Sequence, residues 1–144
     1  MSVDIEAPPE KVWPYLVEPD KTMQWYAVLK KFDYTSEKAG PDSTFYWEQE
    51  VRGKTYATHF KTTEWVENRI FAYEQTSGNF HNSDVERWEI EETPTGSRFS
   101  WEHHAYRWTA PDGPFRKIVD WLGERLAKRS SQEVLRKLKR LAEA

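Results

Sequence analysis

The chain contains no cysteine. That absence excludes disulfides, thiol nucleophiles, zinc knuckles and iron–sulfur ligation, and it is compatible with the cytoplasm, where we place the protein. No apolar run approaches the ~20 residues that a membrane-crossing helix requires. The start, Met1 to Glu6, lacks the basic and apolar regions of a signal peptide. There is no HExxH motif, no GxSxG elbow, no phosphate-cradling glycine loop and no dinucleotide fingerprint. Neither the number nor the spacing of histidines supports a metal site. His103 and His104 are adjacent on a predicted strand and point to opposite faces, while His59 and His81 have no partner at ligand spacing. We expect no metal and no cofactor. A basic excess is missing as well: 21 Lys and Arg stand against 24 Asp and Glu, for a net charge of −3, which argues against a nucleic-acid partner.

Leu and Ile are few, whereas aromatic residues are many. Eight Trp, seven Tyr and seven Phe stand among 144 residues, although 31% of the chain is charged. Large flat side chains with one polar edge must therefore build the interior, and such side chains also line cavities. The length suits one domain, 1–144, large enough to bury its own core.

Val3, Ile5 and Ala7 alternate as in a short strand, which Pro8-Pro9 ends. Pro9 and Glu10 suit a first helical turn, Val12, Trp13 and Leu16 share a helical face, and Pro14 predicts a short or kinked helix. A second short helix is expected from Pro19 to Trp25. From residue 27 to 108 the period becomes two, giving strands at 27–38, 43–52, 54–66, 69–77, 84–93 and 97–108. Gly40-Pro41-Asp42, Arg52-Gly53-Lys54, Glu67-Asn68, Gly78-Asn79 and Pro94-Thr95-Gly96 separate them. Connections this short require antiparallel neighbours. After Pro111-Asp112-Gly113-Pro114, one long helix is expected to about residue 142, its apolar stripe interrupted at Gly123, Ser130 and Ser131. Residues 114–144 carry nine basic and four acidic side chains. This basic face would meet an anionic membrane surface or an acidic partner, or else be solvated and complement the acidic remainder.

The order of elements gives an α+β architecture: a curved seven-stranded antiparallel sheet around a long C-terminal helix, with two short helices after strand 1. The residues also resemble a known superfamily. Ile5-Glu6-Ala7-Pro8-Pro9-Glu10-Lys11-Val12-Trp13 is similar to the opening of START/Bet v 1-like (SRPBCC) proteins, in particular their polyketide cyclase/dehydrase and lipid-transport branch. Asn68-Arg69-Ile70-Phe71-Ala72-Tyr73 resembles the segment after the middle hairpin, and Glu92 to Trp101 the hairpin between the last two strands. The resemblance covers essentially the whole chain. It implies a helix-grip fold with a deep pocket between sheet and helix, in which many members hold lipids, polyketides, hormones or other apolar molecules. Fewer members are enzymes.

Strand alternation sorts the side chains by face. Phe99, Trp101, His103 and Ala105 share the inner face of the last strand, Trp88 and Ile90 that of its predecessor. Phe71, Tyr73 and Gln75 are expected inside, with Ile70 and Ala72 outside; Phe45, Trp47, Gln49 and Val51 are preferred to Tyr46, Glu48 and Glu50. The facing of strand 54–66 stays open, because both of its sets mix apolar and polar residues. The expected ligand site combines Trp47, Tyr73, Trp88 and Trp101 for apolar contact, Gln49, Gln75 and His103 for polar orientation, and Leu122, Leu126 and Ser130 on the helix. Such a pocket binds a small, largely apolar lipid-, polyketide- or aromatic-type molecule without catalysis, in a monomer or homodimer. One alternative is a cofactor-independent cyclase or dehydratase with His103 as base and Tyr73 or Gln75 as hydrogen-bond donor to an enolate. Another, implied by the resemblance, is an interaction module of the quinone-biosynthesis or toxin-like type.

Overall fold

The computed structural model describes residues 1–78, 85–103 and 132–144, and of His103 the backbone. Strand β1 (Ser2–Ile5) is followed by three short helices, α1 (Pro9–Val12), α2 (Pro14–Val17) and α3 (Pro19–Trp25). Six strands come next: β2 (Leu29–Tyr34), β3 (Thr44–Val51), β4 (Lys54–Val66), β5 (Ile70–Gly78), β6 (Val85–Thr93) and β7 (Gly96–His103). Residues 132–143 form helix α4. The strands make one antiparallel sheet in the order β1-β7-β6-β5-β4-β3-β2, so the meander is completed by the N-terminal strand pairing with the last.

Local chemistry explains most of the boundaries. Pro14 has no N–H to donate back into a preceding turn, so the first expected helix divides into α1 and α2 at Trp13. Each of the three short helices has a proline in its first turn. The β3–β4 turn has positive φ at both central residues, Arg52 at 52° and Gly53 at 77°, as a two-residue hairpin with the right-handed twist demands. Strand β2 stops at Tyr34, short of the expected residue 38. Thr35 and Ser36 both donate their backbone N–H to the Thr44 carbonyl, and Ser36 Oγ reaches the Lys38 carbonyl at 2.9 Å, which turns the chain instead of extending it.

Strand β4 owes its ambiguity to a bulge. Thr58, Phe60 and Thr62 are buried, after which the register slips between Thr62 and Glu64, leaving Thr63 as the extra residue. The parity then reverses: Trp65 pairs with Phe71 and packs its ring against that of Phe71 at 5.5 Å. Ala72 faces outward as expected, yet it is fully buried, which corrects its expected exposure. Its neighbours in the ladders are Glu64 and Arg87, and Arg87 Nε lies 3.1 Å from Glu64 Oε2, so an ion pair roofs the small side chain.

The core lies between the inner face of the sheet, α1–α3 and α4. Trp25, Trp47, Trp88, Tyr73, Phe32, Phe45, Phe71 and Phe99 are its largest fully buried members, joined by Leu135, Leu138 and Ala142 of α4. Trp25 hangs from α3 over the sheet, its ring against those of Trp88, Phe99 and Trp101. Its indole N–H donates to the Tyr15 carbonyl at 2.6 Å, satisfying the polar edge that burial would otherwise strand.

Candidate functional site

The register divides the inner face into two ends. At the end marked by the β6–β7 hairpin, the inward residues include the buried Phe45, Phe71, Ile90 and Phe99, and the buried hydroxyls there are paired within the protein, Thr62 with Ser43 at 2.8 Å and Ser97 with the Ala7 carbonyl at 2.6 Å. At the opposite end, marked by the β3–β4 hairpin, polar residues enter the same face. They are Gln49 on β3, Thr58 on β4, Gln75 on β5 and Glu86 on β6, while β7 reaches His103 there. The expected polar residues are thus far apart in sequence and share one end of the sheet.

Of the expected apolar group, Trp47, Tyr73 and Trp88 are at most 1% exposed and Trp101 is 4% exposed. Trp47 packs edge-on against Tyr73 with ring centroids 5.2 Å apart, Tyr73 against Trp88 at 5.6 Å, and Trp88 against Trp101 at 5.4 Å. These four rings form a continuous band across β3, β5, β6 and β7. Gln49 is buried, and its side-chain amide donates to the Tyr26 hydroxyl at 3.2 Å, tying β3 to the residue that follows α3. Gln75 is half-buried and stands opposite Phe60 in the ladder. Leu122, Leu126 and Ser130 lie outside the described residues, as do Ala105, His81 and His104.

Glu86 joins the site although the sequence reading passed over it. It is the direct ladder partner of Tyr73 on β5 and of His103 on β7. The Tyr73 hydroxyl donates a short hydrogen bond to Glu86 Oε2. A carboxylate on an aromatic inner face is costly unless it is hydrogen-bonded, and Tyr73 provides one such bond. The alternation that puts Trp88 and Ile90 inside puts Glu86 inside too. Trp25 and Tyr26 were likewise unassigned, and no strand alternation applies to either.

Another buried tyrosine shows what a purely structural hydroxyl looks like. Tyr34 donates to the Val17 carbonyl at 2.7 Å, and burial pushes its ionisation far above the usual tyrosine range. It stays protonated and holds β2 to α2. No group of three or more His, Cys, Asp or Glu among the described residues is arranged to hold a metal ion, and no described helix is long and apolar enough to cross a membrane.

No curated protein matches the chain. Solved structures do. The chain is similar to protein CV1439 from Chromobacterium violaceum, with 17% identity, TM-score 0.69, and coverage of 100% of this chain and 96% of that one. Protein MLL2253 from Mesorhizobium loti shares 22% identity at a TM-score of 0.66, covering 98% and 93%. Ara h 8.0201 shares 16% identity at 0.65, covering 99% and 94%. At these identities the likeness establishes the fold, the helix-grip arrangement of Bet v 1 homologues. The family model described as "Polyketide cyclase / dehydrase and lipid transport" matches residues 1–143, and the chain belongs to that family.

Proposed function

We propose that the protein binds a small, largely apolar ligand of lipid, polyketide or aromatic type between the inner face of its sheet and the C-terminal helix, without chemically changing it. The observation that carries this reading is the grading of the inner face from aromatic and aliphatic side chains with a few internally paired hydroxyls at the β6–β7 hairpin end to the larger polar side chains Gln49, Gln75 and Glu86 at the β3–β4 hairpin end. A core made only for stability gains nothing from gathering Gln49, Gln75 and Glu86 at one end. A pocket for an apolar molecule with one or two polar atoms needs that arrangement. Trp47, Tyr73, Trp88 and Trp101 would supply the apolar contact, Gln49, Gln75 and His103 the polar orientation, and Leu122, Leu126 and Ser130 the helix side. Cytoplasmic residence and a monomeric or homodimeric state belong to the same proposal.

Native mass spectrometry of the purified protein tests it. A bound species of a few hundred daltons, released on denaturation, is the expected result. An apo mass combined with no binding across a panel of fatty acids, flavonoids and polycyclic aromatics would sink the reading.

One observation favours a second reading, a cofactor-independent acid–base enzyme. The Tyr73 hydroxyl is polarised by Glu86, whose other ladder partner is His103. Turnover of a polyketide-type substrate that disappears in both Tyr73→Phe and His103→Ala, with ligand affinity retained, would establish it.

A further inference from the structure

Three inward polar groups have no hydrogen-bond partner among the described residues: the indole N–H of Trp47, the indole N–H of Trp88 and the hydroxyl of Thr58. All three residues are at most 1% exposed, so solvent does not satisfy them. They occupy one neighbourhood. Thr58 is the direct ladder partner of Trp47, and the Trp47 and Trp88 rings lie 6.2 Å apart at an interplanar angle of 32°. The contrast with Trp25, whose equally buried indole donates to the Tyr15 carbonyl, shows that this chain can satisfy an indole where only packing is at stake.

An indole N–H donates and never accepts. Two such donors with a hydroxyl beside them therefore ask for an acceptor, and leaving a buried donor unmade costs more than a typical made bond gains. The charge on this face narrows the acceptor further. The buried and half-buried inner-facing positions of the described strands hold no Lys or Arg, the one lysine of that parity, Lys54, being exposed at the β3–β4 turn, and they hold the carboxylate of Glu86. A ligand carboxylate would bring a second negative charge into a low-dielectric site where no Lys or Arg is buried and Glu86 already stands opposite His103 in the ladder. A neutral carbonyl brings none.

We infer that the bound ligand carries an uncharged carbonyl-type oxygen, as in a ketone, quinone or ester, held by the indole N–H groups of Trp47 and Trp88. The inference rests on the pocket reading above and names the class of ligand for it. It sets the site apart from one built for free fatty acids, whose carboxylate would require a cation.

Three naphthalenes of similar size test it: 2-acetylnaphthalene, 2-naphthoate and 2-ethylnaphthalene, titrated at neutral pH into the full chain labelled with 15N. The indole N–H signals of Trp47 and Trp88 are assigned by Trp47→Phe and Trp88→Phe, which keep an aromatic ring and remove the donor. The ketone should bind about fivefold or more tightly than the ethyl compound and shift both indole signals downfield, as two neutral hydrogen bonds would give. The naphthoate should bind more weakly than the ketone, and Glu86→Gln should narrow that gap. Each Trp→Phe change should lower the ratio of ketone to ethyl-compound affinity measured in the same variant, which cancels the apolar contact that both ligands lose with the smaller ring. Naphthoate binding as tightly as the ketone, or a ketone advantage that survives both Phe substitutions, would overturn the inference and leave the pocket standing. Binding of none of the three would overturn the inference, and together with an apo mass in native mass spectrometry and no binding across the wider panel it would overturn both.

Discussion

The two ends of the inner face are built from the same strands and serve different ends. At the β6–β7 hairpin end, every structural device serves closure. Ser97 Oγ donates to the Ala7 carbonyl at 2.6 Å, Trp13 packs edge-on against Trp65 at 5.3 Å, and Tyr34 fastens β2 to α2. The C-terminal turn of α4 docks there as well, with Glu143 accepting the Glu6 backbone N–H at 2.8 Å. At the β3–β4 hairpin end the buried side chains carry polar atoms, and two indoles and a hydroxyl lack partners among the described residues. The difference teaches that stability and recognition are separated along the strands, so substitutions at the two ends should fail in different assays.

The largest effect expected is on stability, at the closed end. Phe45 is fully buried and stacks on Phe60 at 5.1 Å, with Phe32, Phe71 and Tyr73 around it. Phe45→Ala should cost roughly 3–5 kcal/mol in denaturant unfolding, the range for a large aromatic removed from a packed core. A loss of about 1 kcal/mol would show that this end is as loosely built as the other and would break the comparison. Gly96 comes next. Its φ is +151°, and a Cβ there would stand 2.3 Å from the Ile5 carbonyl oxygen and 2.7 Å from the Ala7 nitrogen. Gly96→Ala should cost about 1–3 kcal/mol from backbone conformation alone, and more from the displaced β1, with ligand affinity per folded molecule unchanged.

At the polar end the expected effect moves to binding. Trp101 is buried against Trp25, Tyr26 and Trp88, whereas its neighbour Glu102 is exposed on the other face. Trp101→Ala should weaken ligand binding about tenfold or more, while Glu102→Ala leaves it within about twofold, since only the first removes apolar area from the site. Isothermal titration with whichever ligand co-purifies would measure both. Equal effects would count against the ligand's lying on this face.

How far the sequence alone could go follows from the same strands. Six strands and their antiparallel order were legible, because period-two alternation and turn residues such as Arg52-Gly53 coincide along the chain. The facing of β4 was not. Its alternation is interrupted by a bulge at Thr63, and a bulge is set by how β4 and β5 register on each other. The aromatic band was legible as alternation, strand by strand. That Gln49, Gln75 and His103 share one end was not, since it depends on the register of five strands. Glu86 was within reach of the pattern that places Trp88 and Ile90. A glutamate invites a surface assignment, and only its Tyr73 partner, thirteen residues away, explains its inward place.

The smallest effect expected is electrostatic and again belongs to the closed end. Lys139 Nζ lies 2.5 Å from Glu143 Oε1, and the same oxygen accepts the Glu6 N–H. The hydrogen bond from Lys139, followed by that from Glu6, holds the Glu143 carboxyl below its ordinary value of 4.5. A carboxyl with a folded-state value below its unfolded one stabilises the fold above the unfolded value, and the contribution disappears as the pH falls through the folded one. Unfolding midpoints recorded from pH 7 to pH 3 should therefore lie slightly higher for the native chain than for Glu143→Gln at neutral pH and fall more steeply below about pH 5, where the two curves converge. The pair is partly exposed, so added salt should shrink the difference. A gap of equal size that persists at pH 3 would mean that the α4 contact depends on the shape of the side chain. In that case the closed end would owe its tightness to packing alone.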